Sequence, residues 1–184
     1  IDLAENLGLK KPHIVGQSMG GMIAQILGAE FGSRIGKLML LVTTCKLRKA
    51  AILGIRSLLD MRRRNLPFDE IFYATIAWVF GETFLSDQKI VQSLYDIFKG
   101  NPHPQSLEDQ KRQFVLIESF DGSRLKILVP TLVISGEEDV IVLPHEAEKL
   151  VGNLKASYKR LKGAHGVIAE DSEGLVDTIH QFLK

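Results

Sequence analysis

A chain of 184 residues is long enough for one domain with a substantial buried core, and two domains of ordinary size would be crowded. Its composition, 45% apolar and 24% charged, excludes a disordered chain, and a formal net charge of +1 supplies no field that would gather nucleic acid. A single cysteine, Cys45, cannot form an internal disulfide and stands outside any zinc-ligand spacing, and no apolar run is long enough and free enough of charge to span a bilayer. The expectation is a cytoplasmic protein with no membrane contact.

In chain order, Asp2 to Leu9 has a helical apolar spacing that stops at Gly8, ahead of Lys10, Lys11 and Pro12. His13, Ile14 and Val15 read as a short strand, Met22 to Phe31 as a helix ending at Gly32, and Lys37 to Val42 as a strand buried on both faces. Strand, helix, strand in that order predicts a parallel crossover unit. From Cys45 to about Leu125 the pattern becomes helical, with blocks at Ala50 to Arg64, Pro67 to Phe80, Ser86 to Lys99 and Ser106 to Phe120. The basic run Arg62 to Arg64 reads as the solvated end of the first block. Pro130 to Ser135 resumes the strand pattern, followed by a helix at Pro144 to Val151, a strand at Ser157 to Leu161 and a closing helix at Gly174 to Leu183. The predicted organisation is an α/β core over residues 1–44 and 126–184, with an inserted helical lid over 45–125.

The stretch HIVGQSMGG, residues 13–21, sets one serine among glycines between a predicted strand and a predicted helix. A chain that reverses there holds Ser18 in a strained turn, and glycines at 16 and 20 are expected to remove side chains that would collide with it. The same turn leaves the backbone N–H of Met19 at a helix N-terminus, where it has no intrahelical acceptor and can bind a developing oxyanion.

A serine hydroxyl needs a base, and the base needs an orienting acid. The strand at 130–135 runs into Gly136-Glu137-Glu138-Asp139, which puts carboxylates at the carboxyl edge of a parallel sheet, with Asp139 the candidate. After the last strand, Lys162-Gly163-Ala164-His165-Gly166 offers His165 as the base. Glu137, Glu138, Glu170 and Asp171 stand as rival acids. His13, His103, His145 and His180 read as surface, capping or structural histidines. The aromatics of the insertion, Phe68, Phe72, Tyr73, Trp78, Phe80, Phe84 and Tyr95, read mainly as helix packing, with a minority expected to line a pocket.

These residues resemble the alpha/beta-hydrolase fold family. VGQSMGG resembles its nucleophile elbow, VPTLVISGEED its acid-bearing strand and loop, and KGAHGVIAED its histidine loop, in the family's order of serine, acid, histidine. ESFDGSRLKILVPTLVI is similar to the junction from lid to core in small esterases and lactonases of the family, including pimeloyl-ester esterases and 3-oxoadipate enol-lactonases. The resemblance implies a partial alpha/beta-hydrolase fold, a mostly parallel sheet flanked by helices, with Ser18 as nucleophile, Asp139 as acid and His165 as base, and no metal or organic cofactor. The family's strands ahead of the elbow, and the HG-type loop that supplies a second oxyanion donor, have no counterpart in this sequence. They are expected on a segment preceding Ile1.

The expected function is a serine hydrolase acting on a small ester, thioester or lactone. The alternative is a non-catalytic member of the family that acts only in binding or self-association. An unpaired apolar strand near Ile14 predicts either a homodimer through that edge or association with the preceding segment.

Overall fold

The computed structural model describes residues 1–184. Four strands, β1 (Ile14–Gln17), β2 (Leu38–Leu41), β3 (Thr131–Gly136) and β4 (Ser157–Leu161), form one sheet in the order β1-β2-β3-β4. Every pairing is parallel, with Gly16 opposite Leu40, Leu40 opposite Val133 and Val133 opposite Tyr158. Each strand lies beside its predecessor in sequence, so their carboxyl ends form one rim.

Burial explains the strand sequences. All four residues of β2 and all six of β3 are buried, as expected of inner parallel strands covered on both faces. On one face, Leu38, Leu40 and Val133 pack with Ala24 of helix α2 (Met19–Glu30) and with Ala147 and Leu150 of helix α8 (Pro144–Leu154). On the other, Met39, Leu41, Leu132 and Ile134 pack with Val167 of the short helix α9 (Val167–Glu170) and Leu175 of α10 (Ser172–Leu183). Fully burying such a side chain contributes roughly 1.5–3 kcal/mol, which makes this two-sided alternation the main source of stability. The outer strand β4, sequence SYKRL, buries only Leu161. A short helix, α1 (Asp2–Asn6), precedes β1.

Between β2 and β3 lie five helices: α3 (Lys49–Arg63), α4 (Phe68–Val79), α5 (Glu82–Leu85), α6 (Gln88–Lys99) and α7 (Leu107–Ser119). The block predicted over 86–99 forms the single helix α6, and the short helix α5 ahead of it has no counterpart in the predicted blocks. Asp87 caps the start of α6 by accepting the Lys89 N–H at 2.8 Å. Ser106 caps α7 in the same way through the N–H of Asp109 at 3.0 Å. The helical segment joins the sheet through one apolar cluster, in which Leu47, Ala51, Ile52 and Phe114 meet Met22 of α2 and the pair Ile141 and Val142 after β3. Its two ends are tied together, since the Gly122 N–H donates to Cys45 O at 2.7 Å and Lys46 Nζ meets Asp121 Oδ2 at 2.8 Å.

No helix is long and apolar enough to cross a membrane.

Candidate active site

The local backbone at the serine follows from a strand running directly into a helix. β1 ends at Gln17 and α2 begins at Met19, three residues earlier than the apolar pattern predicts, so the whole reversal falls on Ser18. Its φ of 51° and ψ of −118° lie in a region that L-residues rarely adopt, at a cost on the order of 1–3 kcal/mol. Three hydrogen bonds hold the turn: the Ser18 N–H donates to Leu41 O at 2.9 Å, Thr43 Oγ1 donates to Ser18 O at 2.7 Å, and the Gly21 N–H donates to the same carbonyl at 2.9 Å.

The glycines divide the work differently from the sequence expectation. A Cβ on Gly16 would stand 2.4 Å from Gly20 O and 2.8 Å from Ala24 Cβ, and one on Gly21 would stand 2.5 Å from Thr43 Cγ2. A Cβ on Gly20 would meet nothing within 4 Å. The positions that must stay bare are 16 and 21; at 20 the main chain itself is what presses on Gly16.

Asp139 lies in the loop after β3 and is buried. Its Oδ1 accepts the backbone N–H groups of Ile141 at 2.8 Å and Val142 at 2.9 Å, which fixes the carboxylate plane. Its Oδ2 stands 2.9 Å from His165 Nδ1. His165 is also buried, and its Nε2 stands 2.8 Å from Ser18 Oγ. Asp139 accepts only, so the network assigns the proton to Nδ1 and leaves Nε2 to accept from the serine hydroxyl. Both separations fall within hydrogen-bond reach for a nucleophile, base and orienting acid. The backbone N–H of Met19 sits at the first position of α2, at the positive end of the helix dipole.

The histidine loop is held by the acid loop and by the helical segment. Glu137 N–H donates to Leu161 O at 2.9 Å and Glu138 N–H to Gly163 O at 2.8 Å. Glu170 accepts the Ala164 N–H at 2.8 Å through Oε1 and the Gly81 N–H at 2.8 Å through Oε2, while the Gly166 N–H donates to Val79 O at 2.7 Å. Gln17 Nε2 donates to His165 O at 3.3 Å.

The rival acids lie elsewhere. Glu138 accepts the Glu82 N–H at 2.9 Å, Asp171 accepts from Lys162 and Gly174 at 3.2 and 3.1 Å, and Glu137 is exposed. His13 accepts the Lys37 N–H at 2.9 Å, and His103 and His145 are exposed. No group of three or more His, Cys, Asp or Glu side chains is arranged to hold a metal ion.

A small apolar cavity adjoins the serine, walled by Met22, Leu47, Ile55, Ile117, Ile141 and Val142 along with Ser18 and Met19. None of the aromatics of the helical segment, Phe68, Phe72, Tyr73, Trp78, Phe80, Phe84 and Tyr95, lines it. Phe68, Phe72 and Tyr95 instead form an edge-to-face and stacked group with centroids 5.2–5.8 Å apart. The aliphatic wall residues were invisible beforehand because their helical spacing is that of any core-facing position.

The sequence profile of the alpha/beta hydrolase fold matches residues 2–171. The chain is 27% identical over 201 residues to monoacylglycerol lipase abhd6-B of Xenopus laevis, covering 97% of this chain and 57% of that protein. It therefore spans little more than half the length of that relative. Among solved structures it is similar to a putative non-heme bromoperoxidase, BpoC, of Mycobacterium tuberculosis, with a TM-score of 0.86 and 20% identity over 99% of this chain and 70% of the other. It is also similar to the enol-lactonase of Burkholderia xenovorans, with a TM-score of 0.80 and 21% identity over 98% and 68% of the two chains. The match over nearly the whole chain establishes that the protein belongs to the alpha/beta hydrolase fold family.

Proposed function

We propose that the protein is a serine hydrolase that cleaves a small ester, thioester or lactone through an acyl-enzyme intermediate. The observation that carries this reading is the unbroken line of contacts from Asp139 Oδ2 to His165 Nδ1 and from His165 Nε2 to Ser18 Oγ, 2.9 and 2.8 Å long. Ser18 Oγ attacks the substrate carbonyl as its proton passes to His165 Nε2, and Asp139 stabilises the imidazolium that forms. The Met19 N–H binds the tetrahedral oxyanion. His165 then returns the proton to the departing alcohol, thiol or, in a lactone, the ring oxygen. Water, deprotonated by the same imidazole, releases the acid and restores Ser18. Residues 45–125 act as a lid over the core formed by 1–44 and 126–184, excluding water from the carbonyl. The names of the lipase and the enol-lactonase to which the chain is similar support this class of reaction. A cytoplasmic setting is consistent with the lone Cys45.

A fluorophosphonate probe tests the reading. Labelling is expected at Ser18 and is lost in Ser18→Ala and His165→Ala. A folded protein that takes no label would overturn the proposal in favour of a binding role.

A second proposal concerns the sheet edge. β1 is paired on one side only, its Val15 is 52% exposed, and Leu3, Leu7 and Leu9 in the segment that leads into it are 72%, 64% and 53% exposed. An apolar unpaired edge of this kind promotes association. A homodimer through β1 is expected by light scattering at micromolar concentration, the competing occupant being a segment that precedes Ile1; a monomer at that concentration would remove the dimer.

A further inference from the structure

Two cavities meet at a partition made of Ile55 of α3 and Ile117 of α7. The one beside Ser18 has a volume of about 20 Å³, and the second, a half-open hollow of about 210 Å³ between helices of the helical segment, is floored by Leu58, Leu59, Ile71 and Phe114, with Gln110 and Gln113 among its polar walls. The first is on the order of a single water molecule or methyl group. The second has room for several more carbon atoms beyond the shared pair Ile55 and Ile117.

The smaller cavity is the acyl side of the site. His165 must return a proton to the leaving group, so the leaving group has to depart on the imidazole side. His165 does not line this cavity, whereas Ser18 and Met19 do. The partition is also stiff. Isoleucine in a helix has essentially one side-chain rotamer, and the two helices are clamped by Arg56, which pairs with Glu118 at 2.7 Å and lies over the Phe114 ring at 5.4 Å.

Resting on the serine-hydrolase reading, we propose that Ile55 and Ile117 are specificity-determining residues, a stop that restricts the acyl group to about two or three carbons and closes off the larger cavity behind it.

The experiment compares kcat/KM for p-nitrophenyl acetate, butyrate, hexanoate and octanoate in the full chain and in Ile55→Ala and Ile117→Ala. The unmodified protein is expected to lose about tenfold or more between acetate and hexanoate, and each variant to raise the hexanoate-to-acetate ratio by about tenfold, in line with the discrimination a pocket achieves per methylene. Ile55→Val and Ile117→Val give intermediate ratios and serve where the alanine variants fold poorly. A series of acetates of lengthening alcohols keeps its ratios unchanged. A hexanoate preference in the unmodified protein, an unchanged acyl profile in the variants, or a shift confined to the alcohol series overturns the stop.

Fluorophosphonate labelling separates this from the underlying reading, because an unlabelled protein fails as a hydrolase whatever its partition does. In that case the stop is read by binding of n-hexanol, followed through the fluorescence of the sole tryptophan, Trp78, which packs on α3 at Gly54. Binding about tenfold tighter in Ile55→Ala and Ile117→Ala supports the stop. Equal binding overturns it.

Discussion

Gly16 and Gly20 are in main-chain contact across the elbow, close enough that a Cβ on Gly16 would stand 2.4 Å from the Gly20 oxygen, while the space around Gly20's own Cβ position is open. Replacement of the two glycines should therefore give opposite results. Gly16→Ala forces strand and helix apart and is expected to cost about 3 kcal/mol. Gly20→Ala is expected to leave stability unchanged or raise it by up to about 1 kcal/mol, since alanine is the better helix former. Urea denaturation midpoints of the two variants check the contrast.

Ser18 carries backbone strain that its side chain does nothing to relieve, with φ at 51° and ψ at −118°. Ser18→Gly removes the hydroxyl and the strain together and is expected to stabilise the protein by about 1 kcal/mol. Ser18→Ala removes only the hydroxyl and should leave stability near that of the unmodified protein. Thermal unfolding of both variants, with probe labelling as the activity readout, distinguishes the two effects.

Asp139→Asn keeps the shape and the acceptor for Ile141 and Val142 but turns an amide donor toward His165 Nδ1. The proton then moves to Nε2, and the serine loses its base. For a triad of this type the expected loss in kcat is about 10⁴-fold, with folding largely preserved. Hydrolysis of p-nitrophenyl acetate together with a urea titration measures both.

Glu170 fastens the histidine loop to the end of α4, through Ala164 and Gly81. Glu170→Gln sets an amide N–H₂ against one of those two donors and is expected to cost about 1–2 kcal/mol. Because the bond lies one residue from His165, kcat should fall as well, while Asp171→Asn, which touches only Lys162 and Gly174, should spare kcat. Steady-state kinetics on the pair separate positioning of the loop from general stability.

The clasp at the base of the helical segment predicts a pH dependence. The Lys46 ammonium, followed by the Ser123 hydroxyl and N–H, holds the Asp121 carboxyl well below the usual carboxylate range, and Asp121 in turn raises Lys46. A depressed acid contributes stability that is fully present above the unfolded-state value of about 4 and is lost as pH falls toward the folded-state value. Both groups are exposed, so the contribution is small. The stability difference between the unmodified protein and Asp121→Asn should be flat between about pH 5 and 9 and narrow below about pH 4, as measured by denaturant titration across that range.

The core was legible because its physics is local and periodic. β2 and β3 are apolar runs bounded by turn residues, and their positions follow the sequence to within a residue or two. Ser18, His165 and Asp139 stood out because glycine-rich or acidic loops after strands are unusual places for such side chains. Other features depend on neighbours distant in sequence. The start of α2 at Met19 depends on Leu41 and Thr43 receiving the turn, and the need for a bare position at Gly21 on Thr43. Ile55 and Ile117 gain their interest only from standing between two cavities, which no periodicity encodes.

The open flank of β1 lies beside the elbow, because the strand ends one residue short of Ser18. A parallel strand laid along that flank would run about 4.8 Å away, and if it finished level with Gly16 and Gln17 its terminal loop would arrive alongside the nucleophile. On the serine-hydrolase reading, such a strand would be placed to offer a second amide hydrogen beside the Met19 N–H.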